Sequence, residues 1–286
     1  RLRRCLPRDC LFGSGLGFDI LARMTAINPN TDLTEILPTD YLRVHVAYAD
    51  AAFAFNYFGQ IYHPHARMWV QKRLADIIYT AAEYAYSRHG WHLIALDALR
   101  VTEAQGNMYA ICERDFANAA AKMGKPVSDL VAPAGKGAHP RGWAVDLAPI
   151  LPDGTLIDMG GHFDQFWRPF SLRARQFASR TSADAEILQR RADLEKLMND
   201  AGEKHGRWVS NTISDEWWDF RPTPDFYRPI PPLTNDDLPL PMRLLPGDAL
   251  PTRAVVKPEL YVIDNDGRRL SVADTYAAHR PPLGVL

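Results

Sequence analysis

Four short segments of the 286-residue chain hold side chains whose types and spacing could do chemistry. In Gly137-Ala-His-Pro-Arg-Gly-Trp-Ala-Val-Asp146, His139 and Asp146 stand seven apart, with Gly142 between them to allow a tight turn or a close backbone approach. Such a pair offers zinc one nitrogen and one oxygen ligand. A surface histidine and a turn aspartate would show the same spacing, so spacing alone leaves both open. In Ser214-Asp-Glu-Trp-Trp-Asp-Phe220, the carboxylates of Glu216 and Asp219 sit among bulky aromatics. If the segment is a strand, Glu216, Trp218 and Phe220 share one face, and Trp217 and Asp219 the other. A carboxyl in apolar surroundings has its pKa raised, the condition for a general base near neutral pH. An aromatic core strand with acids at its wet edge fits equally well. Arg100, in Asp97-Ala-Leu-Arg-Val-Thr102, follows an apolar run and reads either as a salt-bridge partner or as a charge aimed at a substrate. In Ile157-Asp-Met-Gly-Gly-His-Phe-Asp164, glycines bring backbone close to two acids and to His162, as a simple turn would too.

These segments need a frame. Leu74, Ile77, Ile78, Ala81 and Ala85 recur at helical offsets, which predicts a helix over 67–89, with Gly90 placed for a left-handed cap. WHLIALD then reads as a short buried strand ending at Asp97. Ile187, Leu194, Leu197, Met198 and Ala201 predict a second helix over 183–204, with Thr181 and Asp184 as a capping pair and Gly206 as its stop. RWVSN and EWWDF read as adjacent strands, and GWAVDLAPI and GTLIDMG as a hairpin about Asp153-Gly154. Helices and hairpins in mixed order predict an α+β fold, an antiparallel sheet with packed helices.

Composition narrows the function classes. Hydrophobic residues make up 47% and charged residues 23%, an ordinary globular balance. A formal net charge of -1 supplies no basic excess for a phosphate backbone, which argues against nucleic-acid binding. No run of about 18 apolar residues occurs, so no membrane-spanning helix is expected. The three cysteines, Cys5, Cys10 and Cys112, lack zinc-finger spacing and are too few for a disulfide framework. Residues 1–23 are expected to be a leader, tag or disordered extension. Residues 24–221 form the expected catalytic domain. Twelve of the 22 prolines fall between Pro222 and Pro282, so 222–286 is expected to be a proline-rich strap, solvated over 222–251, with a small β-hairpin appendage at 254–272. Strap and hairpin could serve a homodimer. The expected location is cytoplasmic, or periplasmic if residues 1–23 act as a signal segment.

Taken in order, the four segments resemble the zinc D-alanyl-D-alanine dipeptidase family, peptidase M15 type. AYADAAFAFNYFGQIY resembles the family's opening Y-x(n)-NF-x-G-x-x-Y motif, and Arg100 of DALRVT falls at its D-G-Y-R-P-like loop. GAHPRGWAVDL resembles S-x-H-x-x-G-x-A-x-D-L, IDMGGHFDQF resembles D/P-M-G-x-x-F-D-x-F, and EWWDF resembles E-W-W-H-F/Y. The resemblance covers roughly residues 44–221. It implies the zinc D-Ala-D-Ala peptidase (hedgehog-like) fold and a metal-dependent dipeptidase acting on D-alanyl-D-alanine or a similar free dipeptide from cell-wall metabolism. It further implies one Zn²⁺ per chain on His139, Asp146 and Asp219, with Glu216 as general base, Arg100 at the substrate carbonyl, and Asp164 pairing with the α-ammonium.

Two positions depart from the family pattern. Asp219 stands where the family has a histidine, with His162 as the second choice of ligand, and Gly137 stands where it has a serine. Exchanging a neutral imidazole for a carboxylate lowers the charge of a Zn²⁺–ligand set from +1 to 0. The bound water should then be less acidic, and Mn²⁺ or Fe²⁺ become relatively better guests. Two alternatives stay open: a non-catalytic dipeptide- or partner-binding module with a degraded metal site, and a muropeptide metallopeptidase of shifted specificity.

Overall fold

A computed structural model describes residues 32–122, 124–164, 185–213, 216–245, 258–263 and 266–272. Its centre is the apolar run His92–Asp97 (β4), in which every residue after His92 is buried. Leu42–Val44 (β2) pairs with it in parallel, Val145–Ile150 (β5) pairs antiparallel on its other side, and Asp219–Phe220 (β6) pairs antiparallel with β5. The sheet order is β2-β4-β5-β6. Leu33–Glu35 (β1) and Trp69–Gln71 (β3) make a separate antiparallel pair. The expected α+β class holds, with one parallel pairing in an otherwise antiparallel sheet.

Lys72–His89 (α1) follows β3 directly and buries the predicted stripe of Leu74, Ile77, Ile78, Ala81 and Ala85. Gly90 ends it at φ 68°, a left-handed conformation that glycine adopts without a Cβ clash. Its N–H donates to Tyr86 O at 2.9 Å, closing the last turn. Ala185–Lys204 (α4) packs along α1 and buries Leu194, Leu197, Met198 and Ala201 in the shared core. The expected capping pair Thr181 and Asp184 lies outside the described residues. Between β4 and β5 run Thr102–Ile111 (α2), a wider helical turn at Cys112–Phe116 and Ala117–Lys122 (α3), and α2 lines one side of the cleft described below through Gln105 and Met108.

Two expectations change. EWWDF is not a continuous strand, since only Asp219–Phe220 joins the sheet, with Ser210 bridging Arg221 beyond it. Trp217 and Trp218 form a turn whose indoles pack edge to face and are buried, so burial of two large rings outweighs strand propensity here. The alternation predicted for Glu216 and Asp219 therefore fails, and both line one cleft. Over its described residues 222–245 the proline-rich segment is broken by short helical turns, and several of its side chains are buried rather than solvated. Pro224–Tyr227 (α5) is a single turn, and Tyr227, Leu233, Leu238 and Leu244 are buried in the main core. Leu233 bonds through its N–H to Pro140 O at 2.7 Å and through its carbonyl to Thr102 N–H at 2.9 Å. Prolines remove ladder donors, yet the remaining amides tie the segment to the turn that carries His139. Tyr261–Ile263 (β7) and Arg269–Ser271 (β8) form the expected hairpin, which docks on the β5 turn through Tyr261 N–H and Gly154 O at 3.1 Å.

Candidate active site

The sheet register places three carboxylates in one row. Asp97 on β4 lies opposite Asp146 on β5, and Asp146 lies opposite Asp219 on β6. Like charges directly opposite one another across strands repel, and all three are buried. The row therefore requires cations. At one end, Arg100 donates from Nε and Nη2 to Asp97 Oδ2 at 3.0 and 2.7 Å, and Tyr62 OH donates to Asp97 Oδ1 at 3.0 Å. At the other, Arg221 donates from Nε to Asp219 Oδ1 at 2.5 Å, and from Nη2 to Asp219 Oδ2. The central Asp146 has only Arg100 Nη2 at 3.7 Å from its Oδ2. Its Oδ1 is buried with no hydrogen-bond partner among the described residues.

His139 faces this orphaned oxygen. It sits in the short turn His139–Arg141, and its Nδ1 lies 2.6 Å from Ala98 O. A carbonyl only accepts, so Nδ1 carries the proton and Nε2 presents its lone pair. Nε2 lies 3.6 Å from Asp146 Oδ1 and 3.1 Å from Asp219 Oδ2. Burial, helped by the Arg100 charge, lowers the His139 pKa and keeps the ring neutral. Burial, then the charges of Asp219 and Asp97, raises that of Asp146 well above the usual carboxylate range. Burial would raise Asp219 too, but Arg221 and His139 outweigh it and hold it low. Three potential ligand atoms, on His139, Asp146 and Asp219, thus face one another across His139 Nε2. The donor set fits a divalent cation with nitrogen and oxygen ligands. Atoms of Asp97, His139 and Asp146 also lie within 4.8 Å of one another. His139 Nδ1 lies 3.7 Å from Asp97 Oδ2, while its Nε2 faces Asp146 and Asp219.

A cleft of about 330 Å³ opens over the row, lined by Tyr48, Arg100, Asp164, Glu216 and Trp218 among others. Burial, then the Asp219 charge, pushes the Glu216 carboxyl up to about 8. Asp164 lies at the cleft with φ 58°, a left-handed conformation uncommon outside glycine. Its Oδ2 accepts from Tyr48 OH at 2.7 Å, and burial pushes it up to about 7 against that hydrogen bond. Arg100 is fixed by Asp97, which leaves Nη1 with one long contact, 3.5 Å to Gln105 Oε1.

Residues 30–230 match the family model of the D-ala-D-ala dipeptidases, peptidase M15. The chain belongs to this family. It is also similar to the D-alanyl-D-alanine dipeptidase of Escherichia coli (strain K12), 26% identical over 190 residues that cover 66% of this chain and 82% of that protein. The chain is thus a dipeptidase-like peptidase.

Within the dipeptidase frame, the cleft gathers all six residues singled out from the sequence: Arg100, His139, Asp146, Asp164, Glu216 and Asp219. His162 is elsewhere, stacked on Phe55 at 4.1 Å, and His205 bonds Thr80 Oγ1 at 2.8 Å on the α1–α4 side. Tyr48, Tyr62, Asp97 and Arg221 escaped individual notice. Asp97 and Tyr48 stood inside quoted motifs, whereas nothing local marked Arg221, two residues past Asp219.

Proposed function

We propose that this chain is a metal-dependent dipeptidase that hydrolyses D-alanyl-D-alanine or a similarly short free dipeptide. The observation that carries the reading is the buried, unpartnered Asp146 Oδ1 facing His139 Nε2 and Asp219 Oδ2. His139, Asp146 and Asp219 would hold one Zn²⁺, or Mn²⁺ or Fe²⁺. Such an ion acidifies a water and polarises a carbonyl. Glu216, its carboxyl near 8, takes a proton at the cleft wall and returns it to the departing amine. Arg100, held by Asp97, offers its loosely held Nη1 to the carbonyl oxygen where negative charge develops. Asp164, ionised, receives the α-ammonium and is kept in place by Tyr48. Asp164 is itself buried, which favours a compact free amino terminus over a longer chain and argues against a long muropeptide.

Elemental analysis of protein purified without chelators, alongside a D-Ala-D-Ala hydrolysis assay, tests the reading. About one metal ion per chain with turnover is the expected result. A folded protein that stays metal-free and inactive after metal is added back would instead select a dipeptide-binding module.

A further inference from the structure

The Asp219–Arg221 pair explains how a carboxylate can stand where the dipeptidase family has a neutral imidazole. The two residues are alternate positions at one strand end, so their side chains share a face. The guanidinium grips both Asp219 oxygens from Nε and Nη2, and both residues are buried, with Asp219 fully so. Nη1 points along position 137, where Gly137 adopts φ 80° and where a Cβ would lie 3.7 Å away. A serine at that φ would be strained, and its Oγ would lie beside the guanidinium. The two departures from the family pattern therefore meet at one side chain, Arg221.

We propose that Arg221 is a positioning residue that makes Asp219 act as a neutral ligand unit, so that Asp219 and Arg221 together replace one histidine. The inference rests on the metal-site reading above. A divalent ion with His139, Asp146 and Asp219 alone has a net charge of 0, and the arginine, always protonated, returns it to +1. This is the charge of a set with two imidazoles and one carboxylate, so the shift toward Mn²⁺ or Fe²⁺ expected from Asp219 alone is cancelled. Arg221 also fixes which Asp219 oxygen faces His139, at 3.1 Å from Nε2. Asp219 and Arg221 are therefore coupled, and exchanging either alone unbalances the site.

The test is a double-mutant cycle read by metal affinity, from chelator-competition titrations with Zn²⁺ and Mn²⁺ on the full chain, with thermal unfolding of each variant as a fold check. Arg221→Gln should bind both ions about tenfold or more tightly, with Mn²⁺ gaining on Zn²⁺. Asp219→His should bind at least about tenfold more weakly, since a buried uncompensated guanidinium then faces the ion. The double variant Asp219→His with Arg221→Gln should return to within about threefold of the parent. Arg221→Lys, which keeps charge but not the two-pronged grip, should stay near the parent in affinity and selectivity. Failure of the double variant to recover the parent's affinity and selectivity, or Arg221→Lys behaving like Arg221→Gln, would overturn the proposal while leaving the metal reading intact. A parent that binds neither ion would bring down the metal reading itself, and this inference with it.

Discussion

The two ends of the carboxylate row resemble each other, yet they leave Asp146 in different company. Both ends pair a buried aspartate with a buried arginine close in sequence, Asp97 with Arg100 and Asp219 with Arg221. On the β4 side the arginine reaches past its partner toward Asp146 Oδ2, at 3.7 Å, and Tyr62 completes the shell. On the β6 side Arg221 stays with Asp219, and nothing among the described residues bonds Asp146 Oδ1. In the reading proposed above, one arginine serves the reacting side of the row, and the other serves the ligand itself. Similar pairs of residues can hold opposite roles according to which side of one histidine ring they face.

The largest expected effect isolates chemistry from binding. Glu216→Gln should lower kcat by about 10²–10⁴ with the metal retained, checked by turnover and elemental analysis on the same sample. The comparison itself is broken most directly by Asp219→Asn against Asp97→Asn. The first should weaken metal affinity by about 10- to 100-fold. The second should keep the metal and lose about 10- to 100-fold in kcat, because Arg100 loses its anchor. Equal metal loss in both would make Asp97 a ligand and erase the asymmetry. A smaller effect follows from Asp164, whose carboxyl titrates near 7 in the empty cleft. Below that pH it is protonated and cannot hold an ammonium, so kcat/KM should fall more steeply than kcat, since protonation of Glu216 lowers both and that of Asp164 mainly the former. A flat kcat/KM profile from pH 8 to 5 would remove Asp164 from substrate binding. The smallest effect is expected of His162→Ala, which should change metal content and turnover by less than about twofold, since His162 stacks on Phe55 away from the row.

Much of this site could be read from residue types alone, because its acids, histidine and arginine stand in short segments with fixed spacing. The helix at 72–89 and the strand at 92–97 were equally plain, since their apolar periods are long and end at glycine or at a charged residue. What stayed hidden is tertiary. EWWDF has strand composition, but burying Trp217 and Trp218 together turns the chain before Asp219. Asp97 joins the row only because a bulge between Ala95 and Asp97 sets it opposite Asp146. Arg221 follows Asp219 so closely that it reads as ordinary surface charge until its burial is seen. The prolines of the C-terminal segment suggested an extended strap, but its described residues form short helical turns whose buried side chains composition does not reveal.

That segment behaves as a belt around the turn that presents the histidine. Arg141, two residues after His139, is held by Ile230 O at 2.6 Å, and Pro140 O is held by the Leu233 amide. A single peptide cleavage near residue 230 would leave every proposed ligand and the general base covalently untouched. It would still loosen one side of that turn, so the histidine's placement depends on chain far from it in sequence as well as on its neighbours.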